Sequence, residues 1–586
     1  MSLSNGHRGM VKNNGKRTIA LLVVFAVGGA WIAYRQYDEV ARSAVAQQPA
    51  STTVEQQAGS ALAENPYPRR IPAPPLDGGE WVNTQGPMSL ADFRGRFVLL
   101  DFWTYCCINC IHVLPELKKL EHAFPTELVV VGVHSAKFEG EQVTDNIREA
   151  ALRYEIEHPV VNDAEMAIWR RYGAQSWPTL VLIDPVGEVV WAASGEREFE
   201  QLKAAIDRGL PYYKSQGLLK PAPRPVVFEG MRPPATPLRF PGKVLADEPG
   251  GRLFIADSNH NRIVVAGLDG KLQQVIGSGA IGRADGAYDS CSFNHPQGMA
   301  LVGEMLYVAD TENHLLRKVD LATKQVTTVA GTGEKGHGWP GWGAGGLPAA
   351  GARRFVGRPK ETALASPWAL WPHEENLYIA MAGPHQIWKM PLDESEIGPY
   401  AGNGREDIAD GPLLPTVPYD ANYSSFAQPS GLTSDGERLF VADSEGSTIR
   451  SVPFDPNGKV ETLVGLTGTL FDFGDVDGTG REVRLQHALG VAWWDGKLYV
   501  ADTYNNKIKV IDVERRTCHT VAGTSESGID DAAEGAKATF NEPAGISAAG
   551  GKLYVADTNT HAIRVVELAA PYGVTTLKIA GLTAGK

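Results

Sequence analysis

Six segments of one design recur in the C-terminal half of the chain: LFIADSNHNRIVV from Leu253, LYVADTENHLLRKV from Leu306, LYIAMAGPHQIWKM from Leu377, LFVADSEGSTIRSV from Leu439, LYVADTYNNKIKVI from Leu498 and LYVADTNTHAIRVV from Leu553. Their starts lie 53, 71, 62, 59 and 55 residues apart. Each segment is an apolar strand, an Asp-rich turn and a second strand, a hairpin that cannot cover its own faces and needs a neighbour. A Pro- or Ala-x-Gly element usually comes before it, as in Pro296-Gln297-Gly298 and Pro543-Ala544-Gly545, and a further strand follows, as in Thr327–Gly331. Four short strands per unit, six times over, predict a six-bladed β-propeller across residues 234–586.

A second feature lies upstream. The apolar run Phe97–Trp103 reads as a buried strand, and Ile111, Leu114, Leu117 and Leu120 mark the apolar face of a helix that contains Pro115. Between them stands Thr104-Tyr105-Cys106-Cys107-Ile108-Asn109-Cys110. Cysteines where a strand turns into a helix meet free backbone N–H groups and the positive end of the helix dipole, which favour a thiolate. A Cys-x-x-Cys pair there is a dithiol that closes a small disulfide, one sulfur attacking and the other resolving. Zinc is the competing use, but a tetrahedral site needs two more ligands and no second pair follows. No metal is expected.

Asp101-Phe102-Trp103-x-x-x-Cys107-x-x-Cys110 resembles the strand and active-site turn of the thioredoxin family, and Trp177-Pro178-Thr179-Leu180 resembles its cis-proline loop. The resemblance implies that Cys107 is the nucleophile, Cys110 the resolving thiol and Asp101 a buried carboxylate that assists proton transfer. It also implies that Pro178 lies on the substrate side with Trp103, Trp177 and Thr179. No cofactor is implied beyond the Cys107–Cys110 disulfide. Two departures stand out: Ile108-Asn109 replaces the common Gly-Pro, and Cys106 adds a third thiol that reads as a filler of an apolar site. A peroxiredoxin-like peroxidase is the weaker alternative, since Thr104-x-x-Cys107 fits but the family's proline is Leu100 here.

Alternating strands and helices over residues 80–210 predict a mostly parallel, helix-covered α/β sheet. The first 17 residues carry four basic and no acidic side chains, and residues 18–34 are uncharged and almost wholly apolar. That pattern predicts a cytoplasmic tail at 1–17 and a single-pass membrane anchor at 18–34, with the remaining domains outside the cytoplasm (periplasmic in a Gram-negative bacterium). Residues 35–79, rich in Ala, Gln, Ser, Thr and Pro, read as a linker, and 211–233 as a second one. A net charge of −13 with no basic stripe excludes a nucleic-acid partner. Five cysteines, three of them in one turn, exclude a disulfide scaffold.

The six repeats resemble NHL repeats; Asn313-His314-Leu315 even spells the name. Taken with the Cys-Cys-x-x-Cys turn, the whole resembles the NHL repeat-containing thioredoxin-like proteins. The implied function is a membrane-anchored thiol–disulfide oxidoreductase acting on protein thiols and disulfides, with a protein partner bound to the propeller. A non-catalytic scaffold is the alternative from another class. His314, His385 and His561 fall in one column of the hairpin turns, but Asn261, Ser447 and Asn506 share it, so the column selects turn formers rather than metal ligands. The third unit departs, with Met381 where the others carry aspartate, and follows the long loop 331–366.

Overall fold

The computed structural model describes residues 64–583, apart from 225–226, 228–229, 231–234, 337 and 342–354. The anchor assigned to 18–34 lies outside the described residues, among which no helix is long and apolar enough to cross a membrane.

The first domain is built on a seven-stranded sheet: β1 (Ile71–Pro72), β2 (Trp81–Val82), β3 (Phe97–Trp103), β4 (Leu128–His134), β5 (Val160–Asn162), β6 (Thr179–Ile183) and β7 (Glu188–Ser194), in the order β1-β7-β6-β3-β4-β5-β2. β3 lies at the centre and all seven of its residues are buried, which is why its sequence is an unbroken apolar run rather than an alternation. The helices are α1 (Ile108–Ala123), α2 (Thr144–Arg153), α3 (Ala167–Tyr172), α4 (Phe199–Asp207) and α5 (Leu210–Ser215). The core divides by strand parity: Phe97, Leu99 and Trp103 face one apolar cluster with α1 and α4, and Val98, Leu100 and Phe102 face the other with α3.

Three expectations are corrected here. The sheet is mixed rather than mostly parallel: β3–β4 and β4–β5 are parallel, and the pairings made by β1, β2, β6 and β7 are antiparallel. The β6–β7 pair is joined by a tight turn that needs no crossover helix. The linker assigned to 35–79 ends earlier, because Tyr67 and Leu76 are buried, β1 pairs with β7, and the Tyr67 hydroxyl donates to the Ala205 carbonyl. Likewise 211–233 is not a free tether: α5 occupies its start, and the amides of Lys220 and Ala222 bond the carbonyls of Gly95 and Thr126.

The second domain is the expected propeller. Blade one runs Pro241–Asp247, Arg252–Asp257, Arg262–Gly267 and Leu272–Ile276, each strand antiparallel to the next. Blades two to six follow at residues 296–330, 367–401, 429–464, 490–522 and 543–577, and three of them add a two-residue outer strand. The ring closes where residue 580 runs beside the outer strand of blade one, exchanging hydrogen bonds with Gly270 and Leu272. The x-Gly signature has a steric cause. Innermost strands crowd the axis, and a Cβ on Gly298 or Gly545 would sit 2.6 or 2.4 Å from a Cα of the adjacent blade.

The polar columns are structural. Asn261, His314, His385, Ser447, Asn506 and His561 all take left-handed φ between 50° and 57°. Each side chain accepts a backbone N–H from the neighbouring blade, given by His295, Ser366, Gln428, His487, Glu542 and Phe240 respectively, at 2.9–3.2 Å. Burial holds His314 at about 3 and His385 and His561 at about 4, so Nδ1 keeps the lone pair that this contact needs. The aspartate column works within the blade: Asp310, Asp443 and Asp557 each accept a backbone N–H and pair with Arg317, Arg450 and Arg564 at 2.8, 3.0 and 3.2 Å. In blade three Met381 replaces the acid and Trp388 replaces the arginine, so charge is lost on both sides together.

Candidate redox site at the domain junction

Cys107 is the N-cap residue of α1, in extended conformation at φ −82°, ψ 114°. Its carbonyl accepts the N–H groups of Cys110 and Ile111 at 3.0 and 3.1 Å, and the Cys110 thiol bonds its sulfur. The two sulfurs are thus one helical turn apart at the end of the central strand. Beneath them Asp101, fully buried on β3 with both carboxyl oxygens unpartnered, is pushed up by burial to about 7. Burial and then the neighbouring Cys107 raise the Cys110 thiol, and the charge of Asp101 adds to them. Trp177–Pro178 is a cis bond leading into β6, the antiparallel neighbour of β3. Cys107 and Cys110 thus stand at the start of α1, Asp101 on β3 and Pro178 just before β6.

The substrate-side assignments are corrected in part. Trp103 is fully buried, edge-on to the His134 ring at 5.0 Å, so it supports the turn from within. Thr179 is buried too, its hydroxyl donating to the Ser176 carbonyl at 2.7 Å. Trp177 remains half-buried, tilted against Trp169 with ring centroids 4.7 Å apart and donating to the Ser135 carbonyl.

What the sequence did not reveal is that the propeller closes over the turn. Gln428 reads the motif backbone with both ends of its amide: Oε1 accepts the Ile108 N–H at 2.8 Å and Nε2 donates to the Cys106 carbonyl at 2.9 Å. The Cys106 thiol lies 3.6 Å from Glu445 Oε1, and Lys137 from the first domain holds Glu445 Oε2 at 2.7 Å. Glu141 accepts the Cys106 N–H at 2.9 Å. Farther out, Arg153 pairs with Glu542 at 2.7 Å, and His112 bridges Glu196 and Ser366 at 2.7 and 2.8 Å. Gln428, Ser366, His487 and Glu542 belong to the left-handed residues at the starts of the innermost strands. Their position before a Pro- or Ala-x-Gly element (Pro367-Trp368-Ala369 after Ser366) is the sequence signal that could have flagged a ring facing the first domain.

This closure reverses the expected electrostatics. Cys106, Cys107 and Cys110 are 1%, 5% and 0% exposed. The hydrogen bond from Cys110 lowers the Cys107 thiol, but burial and the carboxylates of Glu445 and Glu406 outweigh it, and the net shift is upward. Burial, with Glu141 and Glu445, pushes Cys106 up further. The helix N-terminus alone would favour a thiolate. Here desolvation and acidic neighbours win. Glu445 itself is held low by Lys137, against burial, while Glu406 is held high by burial and by Glu445. Cys106 is therefore more than an apolar filler, since it sits against a charged pair.

Comparison with known proteins places these two domains together. The thioredoxin-like profile matches residues 95–189 and the NHL repeat profile residues 540–566. NHL repeat-containing protein 2 of Homo sapiens is 42% identical over 518 residues, covering 84% of this chain and 69% of that protein. The chain belongs to the NHL repeat-containing protein 2 family. The Arabidopsis thaliana protein SUPPRESSOR OF QUENCHING 1, chloroplastic, is 41% identical over 507 residues, 83% of this chain and 46% of that one. The thiol-disulfide oxidoreductase ResA of Bacillus cereus is more distant, 27% identical over 124 residues, 21% of this chain and 69% of its own. Similarity to the NHL repeat-containing proteins thus spans both domains and the junction between them, whereas that to the oxidoreductase is confined to the first domain.

Proposed function

We propose that the chain is a thiol–disulfide oxidoreductase whose couple is Cys107–Cys110 and whose site is completed by the propeller. The observation that carries the reading is Cys107 at the cap of α1, bonded to Cys110 one turn in, above the buried carboxyl of Asp101. In the reducing direction the Cys107 thiolate displaces one sulfur of a substrate disulfide, which leaves as a thiolate and takes up a proton. Asp101 accepts the proton of Cys110, whose sulfur then attacks the Cys107 sulfur and expels the second substrate sulfur as a thiolate, which takes up a proton returned by Asp101. The products are a reduced substrate and a Cys107–Cys110 disulfide; the oxidising direction is the reverse.

The deciding experiment compares two variants. Cys110→Ser, which keeps the attacking sulfur and loses the resolving one, accumulates mixed disulfides, while Cys107→Ser abolishes exchange. Equal trapping by both variants would reverse or dissolve the roles. A non-catalytic scaffold is the second reading, favoured by the burial of all three thiols. It requires that neither variant trap anything and that no Cys107–Cys110 disulfide form under mild oxidant. The propeller's outer surface is assigned to a protein partner, and residues 18–34 to a membrane anchor with both domains outside the cytoplasm. A reporter fused after Lys586 that is active only in the cytoplasm sinks the topology.

A further inference from the structure

Between the start of α1 and the mouth of the propeller lies a cavity of about 650 Å³. Small-molecule sites are typically about 300–1,000 Å³. Tyr105, Cys106 and Arg153 line it from the first domain, and Asn259, His295 and Glu542 from the second. It is walled by charge of both signs, including the Arg153–Glu542 pair, whose side chains are 15% and 5% exposed. Its lining also carries buried polar atoms without a protein partner: Arg153 Nε and Tyr105 Oη as donors, Glu542 Oε1 and Asn259 Oδ1 as acceptors, and His295 Nε2. Each unmet buried group costs about 1–3 kcal/mol. A cavity that concentrates them against a buried ion pair is shaped for a polar occupant.

Access argues for a small one. The three sulfurs are at most 5% exposed, and Gln428 fixes the turn's backbone from the propeller side. A folded protein cannot bring a disulfide to Cys107 without separating the domains, whereas Cys106 and Ile108 themselves line the cavity.

We propose that this chamber binds a zwitterionic peptide of two or three residues carrying a thiol or disulfide, presented to the cysteine turn with its charged ends toward Arg153 and Glu542. The proposal rests on the exchange reading above and names its substrate class. Arg153 Nε donates to the ligand carboxylate, and Glu542 Oε1 accepts from its ammonium group. The sulfur is left facing Cys106, the cysteine of the turn that lines the chamber.

The test uses the full chain and S-methylglutathione, a tripeptide whose sulfur cannot react. Calorimetry is expected to show one-to-one binding, and the double variant Arg153→Met, Glu542→Gln to weaken it at least tenfold. Replacing both charges together avoids stranding either one. A second readout needs no variant: saturating S-methylglutathione slows alkylation of the turn cysteines at least tenfold. No binding at millimolar peptide, no loss of affinity in a folded double variant, or no protection overturns the proposal. So does equal affinity for a 12-residue peptide with the same S-methyl cysteine at its centre, because that chain does not fit the chamber. The two readings fail separately. Turnover of an uncharged cyclic disulfide without peptide binding removes this proposal alone, and peptide binding without any exchange removes the oxidoreductase alone.

Discussion

Asp101 and Glu445 reach the cysteines from opposite sides, and their effects separate by pH. Burial raises Asp101 to about 7, against roughly 3.9 in an unfolded chain. A carboxyl raised on folding contributes stability that is present below the unfolded value and lost as pH rises through the folded one. The chain is therefore expected to lose stability between about pH 4 and pH 7, and Asp101→Asn to flatten that slope. The difference is on the order of 4 kcal/mol at about 1.36 kcal/mol per pH unit. Urea midpoints for both proteins at pH 4.5 and 8 measure it; parallel slopes would mean that Asp101 stays ionised throughout. Glu445 acts on reactivity instead. Because its charge helps to hold Cys106 and Cys107 high, Glu445→Gln is expected to shift the pH profile of Cys107 alkylation downward. An unchanged or higher midpoint would show that the carboxylate does not govern the thiols.

At the scale of elements, the repeated hairpins work through their turns. His385 accepts the amide of Gln428, the residue that grips the cysteine turn, so a propeller turn is coupled to the redox site by two hydrogen bonds in series. Asn261 and Asn506 make the same contact elsewhere, and therefore His385→Asn is expected to shift stability by less than about 1 kcal/mol. His385→Ala leaves a buried donor unmet and is expected to cost about 1–3 kcal/mol. Similar losses in the two variants would assign the histidine a role other than acceptor. This column also marks how far sequence reading reaches. Six blades were legible because each hairpin repeats its apolar strand and turn former, and β3 and α1 because one is a continuous apolar run and the other a helical stripe. The mixed sheet was not, since strand direction is decided by whether a connection is a tight turn or a crossover, and both look alike between short apolar runs. Tyr67 and Leu76 were hidden in a Pro-rich stretch whose composition resembles a tether, although two anchoring side chains suffice to pin it. Gln428 and Glu445 were invisible as site residues because they lie more than 300 positions from the cysteines and only the docking of the two domains brings them there.

For the whole molecule the question is whether the propeller gates the cysteines or merely carries them. The groups implied by the thioredoxin resemblance lie within residues 80–210, and both cores of the first domain are built almost wholly from residues 67–213. Among the described residues, only Tyr504 and Phe473 join these cores from the propeller. A fragment of residues 64–224 therefore keeps its own core and the strand order of its sheet, and a cooperative melting transition verifies that it folds. In that fragment Gln428 no longer holds the turn, Glu445 and Glu406 are absent, and the propeller no longer excludes water from Cys107. Desolvation and two acidic neighbours were the forces that opposed the helix dipole, so their removal leaves the dipole and the Cys110 hydrogen bond dominant. Cys107 in the fragment is expected to alkylate at neutral pH at least tenfold faster than in the full chain, with its midpoint at lower pH. Equal rates in a folded fragment would mean that the first domain buries its own nucleophile, and that the propeller, for all its contacts, leaves the chemistry of the turn untouched.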